Sequence, residues 1–372
     1  MRRTGLCFLV WLIAFGAVAQ VRINNTVDTT DTQLTEAIRF MSSYLSGFAV
    51  RNGAVTVPDM ARYWPPDDCR RYQMPDRLLY AISTDIPTYI LGTPKILSAR
   101  PIGDLVQIRT IFSHPDSTGL PLVMSITDHY VGKAANGHLY FVNPMYLAEW
   151  TTKTYGHIEY HFPKGHKFDK ARARKLAGEV EQLRKVWGLQ PIDIRYYFAD
   201  TRDEVEHFRG FEFTLAMGNR DRPAGISDDA DNEVYCWGLG EDYLHEVVHV
   251  YLNRLFPLSP LKEGLAVFYG GSMGHDVRWH LARLNAWLQQ HPETDLNRMN
   301  DFYYMDHYTN PQSTIQGLLC LMAYEKGGVA AIRRTMGYHS FTQLLQQEYG
   351  VAANEWNTFL RKEIAGHCSA RP

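Results

Sequence analysis

Two histidines four residues apart, with a glutamate fourteen residues further on, constrain this chain more than anything else in it. The stretch is His245-Glu246-Val247-Val248-His249, and Glu263 follows inside Leu261-Lys262-Glu263-Gly264-Leu265-Ala266. On a helix, side chains four apart share a face, one turn above the other. The flanking Leu244, Val247, Val248, Tyr251, Leu252 and Leu255 keep helical spacing, which predicts an amphipathic helix with one buried face. Glu241 and Asp242 are expected in its first turn, where the helix dipole favours negative charge. Phe256-Pro257-Leu258-Ser259-Pro260 breaks the helix. Ser259 and Pro260 suit the N-cap and first position of a second helix that ends at Gly270-Gly271. So short a connection makes the two helices antiparallel neighbours, and Glu263 can return to the histidines. Two imidazoles and a carboxylate form a zinc ligand set, one ion per chain, with the fourth tetrahedral position left open. Glu246 between them can act as general base on a zinc-activated water. The alternative is a core helix with two satisfied histidines. The helical setting, the placed acid and the preceding strand-like segment favour the metal.

These residues resemble the gluzincin zinc metallopeptidases, in particular the compact peptidase-MA-like group, in which a Glu-Gly-x-Ala segment such as Glu263-Gly264-Leu265-Ala266 supplies the third ligand. The resemblance covers about residues 155–372. It extends to a helix over 168–187, a strand over 192–198, a short helix over 201–208 and a helical C-terminal part over 313–365. It implies that His245, His249 and Glu263 hold zinc, and that Glu246 activates water and passes its proton to the leaving amine. It further implies an edge strand before the motif helix that holds substrate backbone. The matching segment is Glu233-Val234-Tyr235-Cys236-Trp237, which reads equally as strand or plain loop. An oxyanion-stabilising Tyr or His is implied within Tyr303-Tyr304-Met305-Asp306-His307-Tyr308, with Tyr308 first and His307 next. No third histidine or Met-turn points to the metzincin branch. The acid that thermolysin-like enzymes carry four residues after the third ligand is replaced by Val267.

The expected architecture is α+β: a helix-plus-antiparallel-sheet N-terminal domain over 20–152, then a thermolysin-like catalytic domain over 153–372, largely helical at its C-terminus. In the first part, Leu34, Ile38, Met41 and Leu45 keep helical spacing over 32–48. Short β-branched and aromatic runs between 89 and 162 alternate with turn signals, including a hairpin tip at Ala134-Ala135-Asn136-Gly137-His138. That order faintly resembles a cystatin-like or nuclear-transport-factor-like roll. Arg2 and Arg3, the apolar run Leu6–Ala14 and Ala17-Val18-Ala19 read as a secretory signal over 1–19. The mature chain is therefore expected to be exported, periplasmic or extracellular, with no stable membrane insertion after signal cleavage. Of the cysteines, Cys69, Cys236, Cys320 and Cys368 remain after cleavage, free to form disulfides in any of three complete pairings.

A formal net charge of −2 gives no electrostatic support for nucleic-acid binding. His157, His161 and His166 read as structural or solvated rather than as a second metal site, and Asp228-Asp229-Ala230-Asp231 as a solvated loop rather than a calcium site. The function expected is an exported zinc peptidase, with a peptide or protein as substrate. The alternative is a catalytically silent or narrowly dedicated metal-containing binding protein whose N-terminal domain recognises a ligand or partner.

Overall fold

The computed structural model describes residues 21–51, 54–80, 93–218, 222–301 and 305–368. The expected signal segment 1–19 lies outside the described residues, as do Tyr303 and Tyr304. The chain divides into two compact units. The first comprises Met1–Leu147 with Arg209–Leu215, and the second Ala148–Phe208 with Ala216–Pro372. No helix among the described residues is long and apolar enough to cross a membrane.

The first unit holds β1 (Arg22–Ile23), α1 (Thr32–Leu45), a small hairpin of β2 (Ala49–Arg51) and β3 (Ala54–Thr56), and the short helices α2 (Pro66–Arg71) and α3 (Arg77–Tyr80). Four longer strands follow: β4 (Thr93–Ile102), β5 (Leu105–Pro115), β6 (Pro121–Lys133) and β7 (Leu139–Val142). Asp31 opens α1 by accepting the Leu34 N–H at 2.9 Å. The helix then buries Leu34, Ala37, Ile38, Met41, Tyr44 and Leu45, and packs on β4 and β5. The β6–β7 turn falls at Ala134–His138, closed by the Ala134 N–H to the His138 carbonyl. All pairings in this sheet are antiparallel except β1 with β4. Its far edge is β11 (Phe211–Thr214), which arrives from much later in the chain and pairs with β6. The sequence reading has no counterpart for this excursion.

The second unit is a five-stranded mixed sheet covered by helices. Its elements are β8 (Trp150–Tyr155), β9 (Ile158–Pro163), α4 (Lys170–Trp187), β10 (Ile194–Ala199), α5 (Arg202–Arg209), β12 (Ala224–Asp228) and β13 (Glu233–Trp237). Strand order is β12-β13-β10-β9-β8, with β10 parallel to both β9 and β13. Asp169 caps α4 through the Ala171 and Arg172 N–H groups, and Gly188 ends it in the left-handed conformation (φ 61°). One apolar face of α4 (Leu176, Val180, Leu183, Trp187) meets Tyr160, Tyr196, Phe198, Val234 and Cys236 from the sheet. The chain continues through α6 (Leu244–Leu252), α7 (Lys262–Gly270), α8 (Val277–Gln290), α9 (Pro311–Met336), α10 (Phe341–Tyr349) and α11 (Trp356–Cys368). The sheet core extends into α6, α7 and α9, while α8, the first half of α9 and α11 share a second core built on Leu281, Leu284, Ile315, Leu318, Leu360 and Ile364.

Two expectations need correction here. β13 is a strand, but an interior one, buried throughout and paired on both sides; the edge is β12. Ser259 does not cap α7. Its hydroxyl accepts the Leu261 N–H at 3.2 Å, closing a turn, and the helix starts at Lys262 without a side-chain cap. All four described cysteines are free.

Candidate metal centre

The site is assembled by α6 and α7. Every residue of α6 is buried. The helix does not include Glu241 and Asp242, which fall in a separate 3₁₀ turn over Gly240–Asp242. Instead of lining the first turn of α6, these acids anchor what precedes it. Asp242 pairs with Arg172 and with Lys175 (3.0 Å), and Glu241 accepts the Asp169 N–H at 2.6 Å. At the other end of the pair, Gly270 packs directly on the start of α6. A Cβ there would come within 2.3 Å of the His245 backbone nitrogen, so only glycine permits this approach. The end of α7 thus lies against the beginning of α6, as antiparallel neighbours do. Glu263 sits in the first turn of α7, and next to it Gly264 donates its N–H to Gln316 Oε1 of α9 at 3.1 Å.

This packing brings His245, His249 and Glu263 together, the single group of three or more potential ligands among the described residues. The two histidine Nε2 atoms stand 3.3 Å apart. Glu263 oxygens lie 3.4 Å from His249 Nε2 and 3.7 Å from His245 Nε2. Donors about 2.0–2.1 Å from a tetrahedral zinc ion stand about 3.3–3.4 Å from one another, so the spacing fits that ion. Protonation supports the same conclusion. His245 Nδ1 faces the Gly271 carbonyl at 2.6 Å, and that oxygen can only accept. His249 Nδ1 faces Asn253 Oδ1 at 3.2 Å. With each Nδ1 set against an oxygen, the two Nε2 atoms and the Glu263 carboxylate are left facing one centre, where a cation would satisfy all three. Gly271 and Asn253 are the orienting partners that no sequence motif announces; Val267 is buried in the second core and plays no such part.

A cavity of about 350 Å³ opens on this group. Its wall carries the three candidate ligands, Glu246, Tyr243, the β12 residues Ala224–Ser227, Ser272 and Met273, and Asn310 and Ser313 at the start of α9. Glu246 is buried opposite Gly225, where a Cβ would meet its Cγ at 2.6 Å. Burial raises the Glu246 pKa, against the pull of the nearby histidines and a hydrogen bond from Ser227. Glu263 behaves oppositely. Burial pushes its pKa up, but the His245 hydrogen bond and the charges of both histidines prevail and bring it to about 2.

Tyr308 and His307 do not line this cavity. Tyr308 is 41% exposed, its ring 5.9 Å from His275 and 6.2 Å from Trp279, and His307 is exposed. Asp306 accepts the Tyr308 and Thr309 N–H groups, a turn that presents Asn310 and Ser313 to the cavity instead. Tyr243, two residues before His245, lines the cavity, and no sequence motif announces it. Cys236 is fully buried in the sheet core, its thiol pKa pushed up to about 12 by burial. His157, His161 and His166 pair separately, with Asp193, with Glu159, and with Asp200 and Glu241. Asp228 closes the β12–β13 turn through the Ala230 and Asp231 N–H groups.

No family model and no curated protein matches this sequence. Among solved structures the chain is similar to the M1 zinc metallopeptidase from Deinococcus radiodurans, at 13% identity over 76% of this chain and 66% of that one, with a TM-score of 0.29. A mutant two-domain M1 zinc metallopeptidase bound to L-arginine gives 10% identity over 76% and 65%, with a TM-score of 0.28. This chain spans just under two thirds of their length. So loose a likeness carries no argument, and the functional reading rests on the site itself.

Proposed function

We propose that this chain is an exported zinc-dependent peptidase that hydrolyses peptide bonds, with Glu246 as general base. The observation that carries the reading is the set of three donor groups at zinc-like spacing, with their ring tautomers fixed, on the wall of a cavity that also holds a buried carboxylate. His245 Nε2, His249 Nε2 and the Glu263 carboxylate would hold the ion. Bound there, zinc supplies Lewis acidity, which acidifies water and polarises a carbonyl.

The protein's own residues do the rest. Gly271 and Asn253 hold both imidazoles in the ligating tautomer. Glu246 accepts a proton as water adds to the scissile carbonyl carbon, then delivers it to the amine nitrogen as the C–N bond breaks. Its burial suits it to both steps, because a carboxylate with raised pKa is a better base and can be protonated transiently. β12 is a sheet edge whose Ala224–Ser227 stretch lines the cavity, so an extended peptide can add to it as a further strand. Export is supported by the basic, apolar and small-residue order of residues 2–19. N-terminal sequencing of the secreted product should begin at Gln20; an intact Met1 would contradict it.

The test of the chemistry is Glu246→Gln. The variant should keep its zinc and lose peptide hydrolysis by a factor of about 10²–10⁴. Hydrolysis equal to wild type would overturn the reading.

A further inference from the structure

We propose that the first turn of α9 binds the backbone of an extended peptide substrate: the Asn310 side-chain amide donates to one peptide carbonyl, and the Ser313 hydroxyl accepts one peptide N–H, on the side of the substrate turned away from β12. The inference rests on the peptidase reading above and adds to it two residues that the motif does not contain.

The helix that Asn310 opens decides how its amide is turned. Oδ1 accepts the Gln312 N–H at 2.9 Å and the Ser313 N–H at 3.4 Å. Both partners can only donate, so the atom facing them is oxygen, and Nδ2 lies on the other branch of the amide. The Asn310 carbonyl is also taken up inside α9, by the Thr314 N–H at 3.0 Å and by the Thr314 and Ser313 hydroxyls at 2.7 and 3.2 Å. Asn310 is half-buried and lines the metal cavity. What it has left to offer there is an amide nitrogen with two protons to give, which no acceptor among the described residues takes. Ser313 has the opposite character. Its proton goes to the Asn310 carbonyl, which leaves the oxygen lone pairs as acceptors on the same wall.

Two close approaches hold this wall in place. A Cβ on Gly264 would come within 2.3 Å of the Gln316 carbonyl carbon, and one on Gly317 would meet Val267 Cγ1 at 2.9 Å. Glycine at both positions lets α9 dock on α7, beside Glu263. On the other side, β12 packs on α6. The edge strand and the first turn of α9 therefore flank the two helices that carry the candidate ligands, and both line one cavity.

A strand added to a sheet edge uses only some of its backbone groups on that edge. The carbonyl and N–H groups between them point the other way and need partners of their own. Asn310 supplies a donor and Ser313 an acceptor. A free carboxylate suits this wall less well. Pro311 has no N–H, those of Gln312, Ser313 and Thr314 are already satisfied, and Glu246 and Glu263 place two carboxylates on the same cavity. The arrangement fits an internal stretch of peptide rather than its C-terminal end.

The experiment replaces Asn310 by two other good helix caps, Asn310→Ser and Asn310→Asp, which keep an oxygen for the helix and remove the amide nitrogen. Serine adds no charge. The contact is made by bound substrate and transition state alike, so its loss falls on KM with kcat nearly unchanged. On an end-blocked peptide we expect KM to rise about three- to tenfold in Asn310→Ser and further in Asn310→Asp, whose carboxylate would face the peptide carbonyl, with zinc content as in wild type. The same peptide with an (E)-alkene in place of each non-scissile amide in turn should reveal one position where wild type loses about tenfold and Asn310→Ser loses little more. Wild-type KM in both variants would overturn the proposal and leave Asn310 a helix cap alone. So would an identical alkene profile in wild type and Asn310→Ser, or a loss confined to kcat. Glu246→Gln measured alongside separates the two claims. If it turns over like wild type, the peptidase reading falls; if it is inactive while both Asn310 variants keep the wild-type KM, that reading stands and this inference alone falls.

Discussion

Gly225 and Glu246 form a pair that illustrates what a single residue decides here. A methyl at 225 would meet Glu246 at 2.6 Å from Cγ and 3.0 Å from Oε1, so Gly225→Ala must turn the carboxylate aside. We expect at least a tenfold loss of hydrolysis, since misplacing a catalytic group by about 1 Å costs on the order of 10²-fold, with zinc content unaltered. Unchanged turnover would show that Glu246 is not held by this contact. His280 offers a second test. Burial lowers its pKa from 6.5, and its ring nitrogens are satisfied as a neutral imidazole by the Ser272 carbonyl and the Thr309 hydroxyl. The unfolded chain binds this proton more readily than the folded one, so the contribution is present above about pH 6.5 and is lost as pH falls below it. Thermal melts of wild type and His280→Gln should converge as pH drops from 7 toward 5. A constant difference across that range would contradict the account. The three candidate ligands were legible in the sequence because helical periodicity fixes the spacing of His245 and His249, and the short connection at Phe256–Pro260 returns the helix of Glu263 to theirs. Gly225 was not, since its contact with Glu246 depends on where β12 lies.

At the scale of elements, the site is a property of the α6–α7 contact. Gly270→Ala would drive a Cβ into the His245 backbone, where nothing flexible can yield. It should destabilise the fold by about 1–3 kcal/mol, read by denaturant unfolding. Asn253→Ala leaves that contact intact and removes only the partner of His249 Nδ1. It should weaken zinc about 10–100-fold in chelator competition, and unchanged affinity would remove Asn253 from the account. Both helices were readable from apolar spacing and from the break at Phe256–Pro260. The edge strand was not. Glu233–Trp237 has the β-branched and aromatic residues of a strand, whereas Ala224-Gly225-Ile226-Ser227-Asp228 looks like turn and becomes a strand only by pairing with β13. Tyr243 escaped notice for a related reason. Gly238, at φ 68°, precedes a 3₁₀ turn opened by Gly240, at φ 72°, and that turn starts α6 later than dipole arguments suggest.

Over the whole molecule, two compact units are not two separable stretches of sequence. Arg209–Leu215 belongs to the first unit although it lies within the chain of the second, and β11 completes the N-terminal sheet by pairing with β6. Local patterning cannot reveal such a pairing, because its partners are more than eighty residues apart. A fragment of residues 155–372 therefore carries β11 without β6, an unpaired strand bearing Phe211 and Phe213. It should aggregate or melt without a cooperative transition. A soluble fragment unfolding cooperatively would show that the excursion is dispensable.

The most direct test of the central claim is the metal content of the purified mature protein, measured beside Glu263→Ala. The account predicts about one zinc per chain in the wild type and markedly weaker retention in the variant, since three protein ligands hold the ion. No zinc under reconstituting conditions would make His245 and His249 ordinary core residues, and the peptidase reading would fall with them.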